Sequence, residues 1–203
     1  MGGLALIRHG RTAGNLRGAY VGRSDEPLCA QGRQEILSRC REGCYPPAAR
    51  VYCTPLRRTA ETAGLIYPGL RPLVVDGLRE CDFGEYEGKT YEELKDRPGY
   101  RQWLESGGHA AFPGGEGRAA FCKRCREAFV RLVEREPPQE DVALVLHGGV
   151  IMALMEAFAL PQKDFYDWQL RNGEGYLLRF EPRLWREARK LELIGKLQGR
   201  DAV

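Results

Sequence analysis

Two short, wholly apolar runs stand out in the pattern of hydrophobic and polar positions along the chain. They cover residues 4–7 and 142–146, and each leads within two residues to a histidine followed by glycine. A continuous apolar run of this length, bounded by polar residues and glycine, predicts a strand that is buried on both faces. Weaker patterns predict four further strands, at residues 51–53, 73–75, 176–180 and 191–193, the last an antiparallel partner of the strand before it.

Between these strands, apolar residues recur at the three- and four-residue spacing that is typical of helices. The predicted helices cover residues 31–42, 57–67, 91–95, 100–105, 118–135 and a stretch after residue 147, while 78–88 is predicted to be a loop. Strands that alternate with helices predict a three-layer α/β/α sandwich with a mainly parallel central sheet. We expect a single domain over residues 1–203, with residues 86–117 forming a small helical cap.

Composition then narrows the classes of function. The chain has 203 residues, 43% of them hydrophobic, and its 31 basic and 28 acidic side chains give a net charge of +3. This excludes a disordered chain and argues against a nucleic-acid partner. No apolar run approaches the roughly 20 residues that cross a bilayer, so we expect no membrane contact. The sequence shows no export signal and has seven cysteines, which together predict a protein of the reducing cytosol.

Histidine is scarce, and two of the three histidines occupy equivalent positions. His9 and His147 each follow an apolar strand and precede glycine. In open α/β sheets, ligands bind beyond the carboxyl ends of the strands, so both imidazoles are predicted to lie at the functional edge. The third histidine, His109, lies in a glycine-rich stretch and is predicted to be an exposed loop residue.

Arginine residues next to these positions predict an anion site. Arg8 precedes His9, and Arg58 begins the helix after the strand at 51–53. One guanidinium group can donate two parallel hydrogen bonds to phosphate oxygens, and helix N-termini add positive potential. A phosphoester is cleaved more readily when an acid protonates the leaving oxygen, and either Glu80 or Asp82 has a suitable position. Spacing alone does not choose between them.

Five short blocks occur in order along nearly the whole chain. They are RHGRTAGN at 8–15, GRSDEPL at 22–28, TPLRRTAETA at 54–63, LRECDFGEYEG at 78–88 and LHGGV at 146–150. Together they resemble the histidine phosphatase superfamily, which has the phosphoglycerate-mutase-like fold. The resemblance implies that His9 is a nucleophile that becomes phosphohistidine, and that Glu80, rather than Asp82, is the general acid and base.

The same resemblance assigns the remaining site residues. Arg8, Arg58 and His147 are implied to hold the phosphoryl oxygens, and Asn15 to assist them. Thr12, Gly22 and Gly148 belong to the same blocks and are predicted to line the substrate site. The resemblance implies no cofactor, and no metal is expected because no carboxylate cluster is present and the lone C-x-x-C of residues 122–125 supplies too few ligands.

Three functions remain open, of which a phosphatase is favoured. The residues after Glu80 resemble the phosphatase branch of the family; the alternatives are a cofactor-dependent phosphoglycerate mutase and a non-enzymatic binder of a phosphorylated ligand. The segments 19–22 and 112–117 resemble the α-ribazole phosphatases, which implies a small phosphorylated metabolite such as α-ribazole 5′-phosphate. Aromatic residues of the predicted cap, among them Tyr100, Trp103 and Phe112, are then expected near the leaving group. We expect a monomer or a homodimer.

Overall fold

The two apolar runs form neighbouring parallel strands in the middle of a seven-stranded sheet. In the computed structural model, which describes residues 2–199, the strands are β1 (Gly2–Arg8), β2 (Arg50–Cys53), β3 (Leu73–Val74), β4 (Val142–Leu146), β5 (Ala159–Leu160), β6 (Gly175–Phe180) and β7 (Leu191–Lys196). Their order across the sheet is β3-β2-β4-β1-β6-β7-β5. Among the described strands, β6 alone runs antiparallel to its neighbours. The sheet is therefore mainly parallel, as predicted.

Helices cover both faces of this sheet. They are α1 (Ala13–Arg17), α2 (Ala30–Arg41), α3 (Arg57–Ile66), α4 (Tyr91–Leu94), α5 (Pro98–Glu105), α6 (Arg118–Arg135), α7 (Gly148–Phe158) and α8 (Pro182–Ala188). Short 3-10 helices occupy Asp76–Leu78, Gly84–Tyr86 and Phe165–Trp168. None of the helices within residues 2–199 combines the length and the apolar character of a bilayer-spanning helix.

Alternate side chains of the central strands pack in two separate hydrophobic cores. Leu4 and Leu6 of β1 pack in the larger core, with α6, α7 and α8. Ala5 and Ile7 point to the opposite face, where they join a smaller core with Ala63 of α3. Because side chains alternate along a strand, an apolar strand covered on both faces separates two helical layers. The three-layer α/β/α sandwich is confirmed.

The predicted elements are found with bounds that differ by one to three residues, and α6 and β4 have the bounds that were expected. The hairpin partner at 191–193 is confirmed as part of β7, which pairs antiparallel with β6. The sequence did not predict α1, α8 or β5. Two of them are too short to show apolar periodicity, since α1 has five residues and β5 has two. Helix α1 begins with a capping box in which Thr12 and Asn15 exchange hydrogen bonds.

Residues 86–117 contain α4 and α5 and contribute four of the five side chains of an aromatic cluster. Tyr20, Tyr86, Tyr100, Trp103 and Phe112 contact one another with ring centroids 4.9–6.2 Å apart. Tyr86, Tyr100 and Phe112 are buried as part of the larger core, and Tyr20 and Trp103 pack against it, so this segment shares that core. Its description as a cap and the single-domain organisation stay predictions, and residues 1 and 200–203 of that predicted domain lie outside the described residues.

Candidate active site

Three neighbouring strands deliver the predicted site residues to one edge of the sheet. β2, β4 and β1 are adjacent and parallel, and residue 8 pairs with residue 146. His9 and His147 follow these strand ends directly, so the His9 amide donates to the Leu146 carbonyl at 2.9 Å and the two imidazole centroids lie 5.2 Å apart. Arg58 lies in the first turn of α3, which begins after β2. Topology thus brings together residues that are far apart in the sequence.

His9 is held as a neutral imidazole in one tautomer. Its Nδ1 lies 2.6 Å from the carbonyl oxygen of Gly10, and a carbonyl only accepts, so Nδ1 carries the proton and Nε2 keeps its lone pair. Burial holds the pKa of His9 well below its ordinary value, and the charges of Arg58 and Arg8 lower it further. A neutral ring with a free Nε2 is the state that a nucleophile needs.

The two arginines are buried and fixed by backbone carbonyls. Arg58 donates from Nη1 to the Ser24 carbonyl and from Nη2 to the Gly22 carbonyl, both at 2.7 Å, and Arg8 donates from Nη1 to the Leu170 carbonyl. Burial lowers the pKa of both guanidinium groups. Because the ordinary pKa of arginine is very high, both groups nevertheless stay charged at neutral pH. Neither Nε atom has a hydrogen-bond partner within residues 2–199.

Glu80 closes the site with a carboxyl group held by two backbone amides. Its Oε1 accepts from the Cys81 amide and its Oε2 from the Gly149 amide, each at 3.0 Å. A Cβ at position 149 would lie 2.5 Å from Oε1, so the close approach requires glycine there. Burial raises the pKa of Glu80, although the two amides and the arginines partly oppose this shift. A carboxyl group with a raised pKa can donate a proton near neutral pH.

Glu80 and Asp82, which spacing alone did not separate, lie in different surroundings. Asp82 accepts from the Gly84 amide at 2.9 Å and pairs with Arg23 at 3.6 Å, and its side chain is about one-third exposed. Glu80, in contrast, is buried and shares the neighbourhood of both site arginines. The structure therefore places Glu80, and not Asp82, with the histidines.

His147 is positioned by Thr54, a residue that was not predicted to belong to the site. Its Nε2 lies 2.9 Å from Oγ1 of Thr54, which in turn contacts Oγ1 of Thr59 at 2.9 Å. Burial keeps the pKa of His147 well below its ordinary value, and Arg58, His9 and Arg8 lower it further. The Nδ1 of His147 is buried and has no partner among the described residues. Thr54 thus fixes the ring that faces His9.

The remaining predicted residues act mainly on the backbone around the site. Oδ1 of Asn15 accepts from the Thr12 amide and from Asn172, so these two bonds leave the Asn15 Nδ2 donors unengaged. The buried Thr12 hydroxyl caps α1, and the Gly22 carbonyl accepts from Arg58. Gly148 is the first residue of α7. Direct substrate contact by Asn15, Thr12, Gly22 and Gly148 stays a prediction.

Sequence patterns missed the residues that hold the site from a distance. Arg124 of α6 donates to the carbonyls of Gly77 and Arg79 at 3.0 Å and forms a paired ion contact with Glu116. It thereby ties the loop that carries Glu80 to the core. Asn172 donates to the His9 carbonyl at 3.0 Å. Nothing in the local sequence around either residue indicates these long-range bonds.

A cavity of about 210 Å³ opens beside Glu80, and aromatic residues make up about half of its lining. We call it the outer pocket. It is lined by Tyr20, Glu80, Cys81, Phe83, Trp103, Gly108, Phe112, Arg118, Phe121, Gly149, Met152, Phe165 and Tyr166. Tyr100, Trp103 and Phe112 were all expected near the leaving group; Trp103 and Phe112 line the pocket, whereas Tyr100 packs behind Trp103 at a centroid distance of 5.7 Å. His109 is exposed outside this lining, as predicted.

The sequence that forms this site matches a known family over nearly the full length of the chain. The sequence profile of the histidine phosphatase superfamily, branch 1, matches residues 4–191. The chain belongs to the histidine phosphatase superfamily. This histidine phosphatase is 30% identical to the adenosylcobalamin/α-ribazole phosphatase of Escherichia coli over 175 residues, which cover 84% of the chain and 86% of the relative. The predicted resemblance, and with it the assignment to the phosphatases as an enzyme class, is confirmed.

Other relatives have different substrates in their names. The glucosyl-3-phosphoglycerate phosphatase of Mycobacterium tuberculosis is 31% identical over 183 residues, covering 85% of this chain and 81% of that protein. Among solved structures, the α-ribazole phosphatase of Shigella flexneri superposes with a TM-score of 0.81 at 25% identity, over 97% and 96% of the two chains. The family and fold are therefore shared by enzymes named for different leaving groups, and substrate choice has to be argued from the outer pocket.

Proposed function

We propose that this histidine phosphatase is a phosphomonoesterase that needs no metal and works through a phosphohistidine at His9. The observation that carries the proposal is the state of His9, a neutral imidazole whose Nε2 lone pair lies in a buried site with two fixed guanidinium groups. In this proposal Nε2 attacks phosphorus, the phosphorus–oxygen bond to the leaving group breaks, and protonated Glu80 supplies the proton to the departing oxygen. Water activated by the Glu80 carboxylate then releases phosphate from His9.

The charges around His9 support this route. In phosphoryl transfer most of the catalysis is positioning and stabilisation of charge on the equatorial oxygens. Arg8 and Arg58 supply that charge, and their buried Nε atoms, together with Nδ1 of His147, are polar groups that lack protein partners within residues 2–199. Since an unpaired buried polar group costs free energy, pairing with phosphoryl oxygens would stabilise the complex.

For the substrate we propose a small phosphorylated metabolite with an aromatic portion, and α-ribazole 5′-phosphate is the first candidate. The aromatic walls of the outer pocket support this choice, as does the similarity to enzymes named for that substrate. We also propose a cytosolic location, which is consistent with seven free cysteines. A mutase and a non-enzymatic binder remain the alternatives that the following experiment addresses.

The test is to trap the intermediate with p-nitrophenyl phosphate by rapid quenching at alkaline pH and to locate it by mass spectrometry. We expect one acid-labile phosphoryl group on His9. His9→Gln is expected to lower turnover by about 10⁴-fold or more, because the nucleophile is lost. His109→Gln is the matched control for the loss of an imidazole, because His109 does not line the pocket, although its Nε2 lies 3.5 Å from Nη1 of Arg118. Turnover that persists in His9→Gln would contradict the mechanism.

Two further assays separate the alternatives. Conversion of 3-phosphoglycerate to 2-phosphoglycerate with a bisphosphate primer, at a rate above that of phosphate release, would identify a mutase, and binding without any turnover would identify a binder. Hydrolysis of α-ribazole 5′-phosphate no faster than that of ribose 5-phosphate would remove the substrate assignment while leaving the phosphatase proposal in place.

A further inference from the structure

The charge of the outer pocket depends on one ion pair. Apart from Glu80, Arg118 is the single charged residue among the described residues that line it. Arg118 Nη2 donates to Oε1 of Glu156 on α7 at 3.1 Å. The exposed fractions of the two side chains are 19% and 32%, so the pair is partly shielded from water. Shielding makes the attraction within such a pair stronger than at an open surface.

Aromatic rings hold the Arg118 guanidinium in this position. Its Cζ lies 4.3 Å from the centroid of Phe165 and 5.3 Å from that of Tyr166, both of which also line the pocket. Rings at these distances attract a cation through their faces, and they fix the plane of the guanidinium. Arg118 therefore contributes a flat, charge-compensated surface to the pocket wall.

We infer that the Arg118–Glu156 pair is a specificity determinant, which makes the outer pocket select uncharged, flat leaving groups and reject leaving groups that carry a carboxylate. The inference rests on the proposed function and specifies its substrate class. A carboxylate that enters the pocket loses hydration, and the nearby cation is already neutralised by Glu156, whose own charge repels the newcomer. An uncharged ring loses little hydration and gains contact with the aromatic walls.

The pair disfavours phosphorylated acids as substrates. Phosphoglycerate and phosphoserine leaving groups carry a carboxylate close to the phosphoester, and a site for them needs a free cation. Within residues 2–199, the outer pocket offers no second cationic side chain for that purpose. Arg124 lies behind Phe121, 5.3 Å from its centroid, and both oxygens of Glu116 engage it.

Two aryl phosphates of nearly equal size and shape measure this selectivity directly. They are 4-carbamoylphenyl phosphate, which is neutral in its leaving group, and 4-carboxyphenyl phosphate, which is anionic there. For the unmodified protein we expect kcat/KM to be about tenfold higher for the carbamoyl compound. Equal values for the two compounds would overturn the inference, even if no variant could be prepared.

Glu156→Gln tests the role of the pair. The amide keeps the size of the side chain and can still accept from Arg118, but it no longer neutralises the guanidinium. We expect the ratio of kcat/KM for the carbamoyl compound to kcat/KM for the carboxy compound to fall by about tenfold. The fall should come from a higher kcat/KM for the carboxy compound. In the double variant Glu156→Gln/Arg118→Gln this gain should disappear, because the cation that attracts the carboxylate is absent.

Glu127→Gln is the matched control. Glu127 is exposed on α6 and pairs with Lys123 and Arg131, so the substitution changes net charge by the same amount away from the pocket. Its preference should equal that of the unmodified protein. An unchanged preference in folded, active Glu156→Gln overturns the inference but leaves the phosphatase proposal standing. Failure of the unmodified protein to hydrolyse either compound would instead count against the proposed function.

Discussion

The two ends of the site differ in what holds them in place. The phosphate end, which consists of Arg8, His9, Arg58 and His147, is built from strand ends and fixed by hydrogen bonds to backbone carbonyls and to Thr54. The outer pocket is lined from loops and from helices α5, α6 and α7, and many of its side chains are aromatic rings that contact one another. Hydrogen bonds of defined direction allow little substitution, whereas apolar packing tolerates changes of similar volume. We therefore expect that chemistry and substrate choice are separable in this molecule.

Among the variants that compare the two ends, the largest effect is expected where the ends meet, at Glu80. Glu80→Gln removes the proton donor and should lower kcat/KM for an alkyl phosphate by about 10²–10⁴-fold. The loss for p-nitrophenyl phosphate should be smaller, because that leaving group departs without a proton. Steady-state kinetics with both substrates checks this order, and equal losses would argue against Glu80 as the acid.

The pH dependence of kcat/KM gives a second test of the same variant. Burial raises the pKa of Glu80, so its protonated form persists to higher pH than for an exposed carboxyl group. The kcat/KM of the unmodified protein for an alkyl phosphate should therefore fall as pH rises through this raised pKa. Because glutamine does not titrate, that decline should be absent from the pH profile of Glu80→Gln, and its persistence would assign it to another group.

A smaller effect is expected at Thr54, behind the phosphate end. Thr54→Val keeps the shape of the side chain but removes the hydroxyl that lies 2.9 Å from Nε2 of His147. The loss of one hydrogen bond to a buried ring should lower kcat/KM by about tenfold for every substrate alike. Thr54→Ser restores the hydroxyl and should restore activity. A change in the ratio between carbamoyl and carboxy substrates would contradict the separation of the two ends.

The smallest effect is expected at the outer pocket, from Tyr166→Ala. Tyr166 is 47% exposed, so its removal should leave the thermal midpoint nearly unchanged. It lines the pocket, and the loss of one ring face should raise KM for an aryl phosphate by about fivefold. The KM for ribose 5-phosphate should stay the same. A parallel rise for both substrates would show that the ring positions the phosphate end.

The phosphate end could be predicted from the sequence because its residues occupy positions that strand topology determines. Each histidine follows a fully apolar run, and parallel strands place such positions at one edge. The choice of Glu80 over Asp82 required the family resemblance, since both residues lie in one loop. The structure supplies the physical reason in the amides of Cys81 and Gly149, which hold only Glu80 at the site.

The supporting contacts could not be predicted, because they join residues that are distant in the sequence and unremarkable locally. Asn172 reaches the carbonyl of His9 across 163 positions, and Arg118 reaches Glu156 across 38. Helix α8 was missed for a different reason. It is short and rich in charge, and its apolar contact with the core depends mainly on the buried Trp185. Periodicity detects repeated apolar positions, so a single anchoring residue leaves little trace.

One face of α7 has a consequence for how such an enzyme can change over generations. Residues 149, 152 and 156 are spaced three and four apart, so they lie along one side of the helix. The first contacts Glu80, the second lines the outer pocket, and the third neutralises Arg118. Variation confined to 152 and 156 can alter the alcohol that is released while the glycine at 149 keeps the acid in place. A library restricted to these two codons therefore samples new substrates at little risk to the reaction itself.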